Sequence, residues 1–252
     1  MKLNFICFLC LIIGLVVIMF CCDNREIETQ IVMKPWHMQR TEQTDLLSDF
    51  YQSHYERNDR SRLTDLLQNN GQRTVLILVD AWGVPYEHGE LEEEFALFDG
   101  LPVKKIIQRR HNNTTLHAEK TEFRKKDSVG TFLLGGDSLE YNRKEYIPLL
   151  GYDKLIFCQS CPDEIMFAKL DSILNLDSMT QTLALTTQSS RNGDRANLLK
   201  SLKQIRELMQ KHPEAVFIVQ GTHRPVLVPG KIRDRYYENW VPALIVGNQI
   251  KH

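Results

Sequence analysis

The sequence predicts an α/β domain, a mostly parallel sheet covered by helices on both faces, behind an N-terminal membrane-anchor or lipoprotein-signal segment. Three observations carry that prediction. Apolar runs at 75–79, 131–134, 154–157, 182–185, 216–219 and 243–246 are continuous rather than alternating, as strands buried on both faces require. Amphipathic helical patterns lie between several of them, and such alternation builds a parallel sheet. The first twenty residues are almost wholly apolar and stand apart from the rest.

Taken in order, Met1-Lys2 is followed by "LNFICFLCLIIGLVVIMF", in which Asn4 is the one strongly polar residue. Eighteen helical residues reach about 27 Å, close to the hydrocarbon thickness of a bilayer. The positive end precedes the run, which favours a cytoplasmic N-terminus and an exported body. Met19 and Phe20 are too bulky for a small-residue cleavage site. An uncleaved anchor and a lipid attached at Cys21 or Cys22 both remain open, and both place the body on the outer, extracytoplasmic face of a membrane. Residues 1–22 are therefore expected to be the signal or anchor segment, 23–45 a tether and 46–252 the domain.

The tether mixes charge, Gln and Thr without a period. "TDLLSDFYQSHY" and "SRLTDLLQNNG" are helical patterns, the second stopped by Asn69-Asn70-Gly71. Beyond the strand at 75–79 come "GELEEEFALF", "AEKTEFRKK", "PDEIMFAKLDSIL" and "RANLLKSLKQIRELMQKH". In the last, Leu198, Leu199, Leu202, Ile205, Leu208 and Met209 share one broad face.

Composition narrows the partners. Basic and acidic residues number 31 and 32, so no net charge draws the chain to nucleic acid. Of six cysteines, only Cys158 and Cys161 lie outside the leader, in "FCQSCPDE". Two thiols without a histidine pair do not make a zinc site. The expected state is a local disulfide or two unpaired thiols, with a redox pair at a helix start as the alternative.

Ligands of open α/β sheets bind at the carboxyl ends of the strands. Those ends hold Asp80, Cys158, "TTQSS" at 186–190 and "GTHRP" at 221–225. Asp80 would be a metal ligand, a general base or a turn cap. Thr114 and Thr115 open a helical stretch, where a hydroxyl sits among unpaired N–H donors suited to a phosphate or sulfate ester; the plainer role is a helix cap. His223 would be a metal ligand or a surface loop residue, with Arg224 beside it to pair with an anion. Arg109, Arg110, Arg124, Arg233 and Arg235 would line an anionic pocket or form a solvated surface.

"TVLILVDAWGVP", "NNTTLHAEKTEFR" and "AVFIVQGTHRPV" followed by "YYENWVPALIVGN" together resemble the alkaline phosphatase and sulfatase superfamily over residues 72 to 247. The resemblance implies an alkaline phosphatase-like fold, Asp80 and His223 as metal ligands and Thr115, or else Thr114, as the nucleophile. It implies a divalent cofactor (zinc, manganese, magnesium or calcium) and an anionic ester substrate. The pattern departs from the family at Thr222, where an aspartate precedes the histidine, and in "TTQSSRNGDRANLL", which offers Asp194 but no histidine. Two functions follow: a membrane-tethered hydrolase or transferase of phosphate or sulfate esters, or a catalytically degenerate relative serving envelope binding or assembly.

Overall fold

Strand β2 (Thr74–Val79) occupies the middle of the molecule, and its alternating side chains explain the architecture. Val75, Ile77 and Val79 join one apolar cluster, while Leu76 and Leu78 join another across the sheet. A strand with two dry faces cannot alternate apolar with polar, hence the unbroken run. The computed structural model describes residues 46–59, 62–66, 72–110, 114–124, 130–134, 143–157, 161–176, 182–188 and 190–247. These fall within one compact unit, Asp45–His252.

Helix α1 (Asp49–His54) leads into β1 (Glu56–Asn58), and a 3-10 turn (Leu63–Leu66) precedes β2. Then come α2 (Gly89–Ala96), β3 (Val103–Arg109), α3 (Thr115–Glu122), β4 (Gly130–Leu134), α4 (Arg143–Tyr146) with a second 3-10 turn (Ile147–Leu150), and β5 (Lys154–Phe157). The chain continues through α5 (Asp163–Leu176), β6 (Thr182–Thr186), α6 (Arg195–Lys211), β7 (Val216–Gly221), α7 (Gly230–Arg233) and β8 (Trp240–Val246). The eight-stranded sheet has the order β1-β3-β8-β7-β2-β6-β4-β5. All its pairings are parallel except those of β8 with β3 and β7.

Side chains of α1, α2, α5 and α6, among them Tyr51, Phe95, Leu170 and Leu202, pack on the Val75 face. Those of α3, α4 and its 3-10 turn, including Ala118, Phe123, Tyr146 and Ile147, pack on the Leu76 face. Each such aliphatic side chain contributes about 1.5–3 kcal/mol by leaving water. Strand alternation therefore fixes which helix Asp80 meets: it follows Leu76 and Leu78 onto the α3 face.

The six predicted strands are present, within two or three residues at each end. β1 and β3 are not among them: β1 ("ERN") holds no apolar residue, and Lys104 and Lys105 interrupt the apolar pattern of "VKKIIQR" in β3. Their ammonium groups reach out to Glu56 and Asp99 while the stems stay in the strand. The predicted helix at "SRLTDLLQNNG" is a 3-10 turn at Leu63–Leu66, and its remainder lies outside the described residues. So do residues 1–45 with the anchor and tether. Among the described residues no helix is long and apolar enough to cross a membrane.

Candidate active site

Three parallel strand ends are tied together where β2 stops. The Thr187 N–H donates to the Leu78 carbonyl (2.8 Å), and the Thr222 N–H donates to the Val79 carbonyl (3.0 Å). Ala81 then turns the chain in a left-handed conformation, φ 56°, which costs an L-residue about 1–2 kcal/mol. Its N–H donates to Thr222 Oγ1 (3.2 Å), and the Asp80 N–H donates to Thr187 Oγ1 (3.2 Å). At Gly221 a Cβ would lie 1.9 Å from the Trp82 carbonyl oxygen, so only glycine lets β7 approach this turn. That approach carries Thr222 and His223 alongside Asp80.

Helix α3 brings the fourth group. Thr114 is its N-cap, in extended conformation, and accepts from the His117 N–H (3.2 Å). Thr115, one residue on, points inward, so the two threonines divide the expected roles: Thr114 caps and Thr115 enters the site. Buried ion pairs hold the helix on both sides. Glu119 accepts from Arg143 (3.2 and 2.9 Å) and from the Tyr146 hydroxyl, and Glu122 accepts from Arg110 (2.8 Å).

The three residues singled out in the sequence meet. Asp80, Thr115 and His223 are 4%, 3% and 5% exposed. Asp80 Oδ1 accepts from Thr115 Oγ1 (2.7 Å) and Thr222 Oγ1 (2.8 Å) and lies 3.3 Å from His223 Nε2. Thr115 Oγ1 also lies 3.1 Å from His223 Nε2. His223 Nδ1 is 2.6 Å from the Arg224 carbonyl, which can only accept, so Nδ1 carries a proton. Burial pushes the Asp80 carboxyl up, but hydrogen bonding and charge from His223, then the two threonine hydroxyls, hold it below the usual carboxylate range. Burial pulls the His223 ring down, yet Asp80 more than offsets this and sets it above the ordinary histidine value. The centre is thus the Asp80 carboxylate and the His223 ring bridged by the Thr115 hydroxyl.

Among the described residues that donor set falls short of a divalent-metal site. One carboxylate and one imidazole are two protein ligands, whereas catalytic zinc takes three and harder cations gather more oxygens. The oxygen of Asp80 nearest His223 is already taken by two hydroxyls. Among the described residues no three His, Cys, Asp or Glu side chains converge on one point. Asp194, the only acid in its stretch, is the N-cap of α6, accepting from the N–H groups of Ala196 and Asn197 (2.9 and 3.2 Å). His252, His111 and Cys158 lie outside the described residues. Cys161 is disulfide-bonded.

Of the arginines, Arg110 is buried against Glu122, Arg109 lies 5.7 Å over the Trp240 ring and Arg235 pairs with Glu90 (2.7 Å); Arg124 and Arg233 are exposed. Sequence reasoning missed Thr222 as a partner of Asp80, seeing only an absent aspartate. It also missed Thr187 and Ser190, although "TTQSS" marked that strand end; Ser190 donates to the Asp80 carbonyl.

No family model and no curated protein matches the sequence. Solved structures do match the fold. A protein in the alkaline phosphatase superfamily from Vibrio parahaemolyticus superposes with a TM-score of 0.51 at 15% identity, covering 85% of this chain and 70% of that one. The C-terminal periplasmic domain of EcEptC from Escherichia coli gives 0.51 at 11% identity, covering 76% and 75%; its complex with Zn gives 0.48 at 12%. The chain has the alkaline phosphatase-like fold that its motifs resemble.

Proposed function

We propose that this chain is a membrane-tethered, extracytoplasmic protein that recognises an anionic ester group at the Thr115 centre and serves as an envelope binding component rather than a metal-dependent hydrolase. One observation carries the reading: Thr222 donates its hydroxyl to Asp80 at 2.8 Å, where a second acidic ligand would be needed to hold a dication. Asp80 Oδ1 is then satisfied by hydroxyls of the chain itself, and α3 keeps its N-terminal N–H groups toward any bound oxyanion. Residues 1–22 supply the anchor or lipoprotein-signal segment, 23–45 the tether, and 46–252 the exported domain.

A second reading rests on the position of Thr115 Oγ1, between Asp80 at 2.7 Å and His223 at 3.1 Å. A hydroxyl within reach of a base can attack phosphorus or sulfur. The Thr115 oxygen would bond to the centre, its proton would pass to Asp80, and the ester oxygen would leave with the bonding pair. Asp80, held below the usual carboxylate range, is a weak base for that step.

Elemental mass spectrometry of the full chain purified without chelator, together with turnover of aryl phosphate and aryl sulfate esters, separates the two. The binding reading expects no stoichiometric metal and no turnover above that of Thr115→Ala. Stoichiometric metal lost in Asp80→Ala, or turnover abolished in Thr115→Ala, would replace it with the hydrolase reading.

A further inference from the structure

The segment that joins β7 to β8 holds three apolar side chains in the open. Leu227 is 61% exposed, and Val226 and Ile232 are exposed as well. Single exposed apolar residues are ordinary, but three gathered in one loop call for a partner. Backbone bonds fix the loop: the N–H groups of Ile232 and Arg233 donate to the Pro229 carbonyl (2.9 and 3.1 Å), and that of Asp234 to the Gly230 carbonyl (2.8 Å). Val228 is its inward anchor, so close to Gly193 that a Cβ there would lie 2.5 Å from Val228 Cγ1. With Val228 turned inward and Pro225 buried, Val226 and Leu227 are left facing water. Lys231 and Arg233 stand exposed beside Ile232. Arg235 is tied to Glu90 (2.7 Å), and Asp234, the one carboxylate of residues 225–235, lies 3.7 Å from Arg233.

The domain joins the preceding chain beside this loop. Leu46 is 73% exposed, and the Ser48 N–H donates to the Tyr237 hydroxyl (3.1 Å). The Tyr51 hydroxyl donates to the Pro85 carbonyl (2.7 Å), and Pro85 is bridged to Tyr236. The start of the domain and the end of the loop are therefore one surface. Apolar side chains interleaved with cations suit a bilayer, where the first enter among acyl chains and the second meet headgroup phosphates. We propose that the loop at 226–233 is a membrane contact of the domain itself, docking it onto an anionic lipid surface beside the point where its tether enters. The inference rests on the membrane-tethered reading above and adds to the anchor a face of the folded body. Because the loop begins just past His223, the contact turns the strand ends that bear Asp80 and His223 toward the headgroups.

The test uses the full chain reconstituted into vesicles, with and without anionic lipid, whose acyl chains carry bromine near the headgroup. Bromine quenches an indole at close range, so Leu227→Trp reports on the loop once the fluorescence of the parent is subtracted. Leu176→Trp is the control, since Leu176 is exposed at the far end of α5, where Leu174 accepts from Arg73 at the opposite end of β2. On anionic vesicles the added fluorescence at 227 is expected to fall at least about twofold, and that at 176 to change by less than about a tenth. Reversing Lys231 and Arg233 to Glu in the Leu227→Trp chain should undo most of that quenching. No quenching at 227, equal quenching at 227 and 176, or quenching indifferent to anionic lipid or to the charge reversal overturns the proposal. Alkaline extraction of the same vesicles keeps the two ideas apart. A chain that resists extraction without quenching at 227 keeps the anchor and loses the loop contact; one that is quenched at 227 but extracted keeps the contact and loses the anchor.

Discussion

Asp80 carries more than chemistry, because three donors converge on one of its oxygens in a dry environment. Removing it strands the His223 ring and two hydroxyls, and each buried polar group left unsatisfied costs about 1–3 kcal/mol. Asp80→Ala is therefore expected to lose stability of that order in urea unfolding, and Thr114→Ala only about 1 kcal/mol, the worth of a helix cap. Glu94 poses a different question of charge. Its carboxyl accepts from Trp82 Nε1 (2.7 Å) and Arg195 (2.6 Å), beside a polar cavity of about 20 Å³, room for a single water, lined in part by Ala81, Ser190 and Tyr236. Burial pushes it up to about 7 from 4.5, and burial does the same to Glu122 despite Arg110. A folded acid value above the unfolded one means stability fully present below pH 4.5 and lost as pH rises through about 7. Each group accounts for about 3 kcal/mol across that window. Glu94→Gln should remove its share, so the difference between parent and variant in urea unfolding should change by about that amount from pH 4.5 to pH 8; a pH-independent difference would place the Glu94 carboxyl near its ordinary value.

At the scale of elements, the site is made by the approach of β7 to the turn after β2. Gly221 is the hinge of that approach, since any Cβ there would overlap the Trp82 carbonyl. Gly221→Ala should destabilise by about 3 kcal/mol, as overpacking does, and should also separate Thr222 and His223 from Asp80. Near-parental melting of that variant would show that the turn can move. Helix α3 is anchored differently, through Glu119 to Arg143 and Tyr146 and through Glu122 to Arg110, rather than through apolar contacts alone. The sequence pattern began the helix at "AEKTEFRKK", three residues late, although it put both threonines at the start with capping as one role; the hydrogen bond that Thr114 accepts decides which of them caps. The β3 strand was hidden for the converse reason: two lysines in a strand near the sheet edge keep their charges wet and so break the periodicity that marks a core strand.

For the whole molecule, the two apolar clusters on either side of β2 are built from residues of the compact unit that begins at Asp45. A chain beginning at Asp45 should therefore unfold in a single cooperative transition within about 5 °C of the full-length protein, measured by circular dichroism; a loss larger than one or two kcal/mol would mean that the leader packs on the domain. The sequence alone determined the α/β class, the six core strands and the strand end that bears Asp80, because periodicity and strand polarity are local properties that any short window of residues expresses. It also nominated Asp80, Thr115 and His223, each by its position at the end or start of an element. Only the tertiary structure decided that these three meet, that Thr115 and not Thr114 enters the site, and that Thr222 supplies a hydroxyl where a metal would demand a carboxylate. Those outcomes depend on the register of β7 against β2 and on the side of the sheet that α3 covers, which are set by contacts such as Thr222 with Asp80, 142 positions apart, and Thr115 with Asp80, 35 apart.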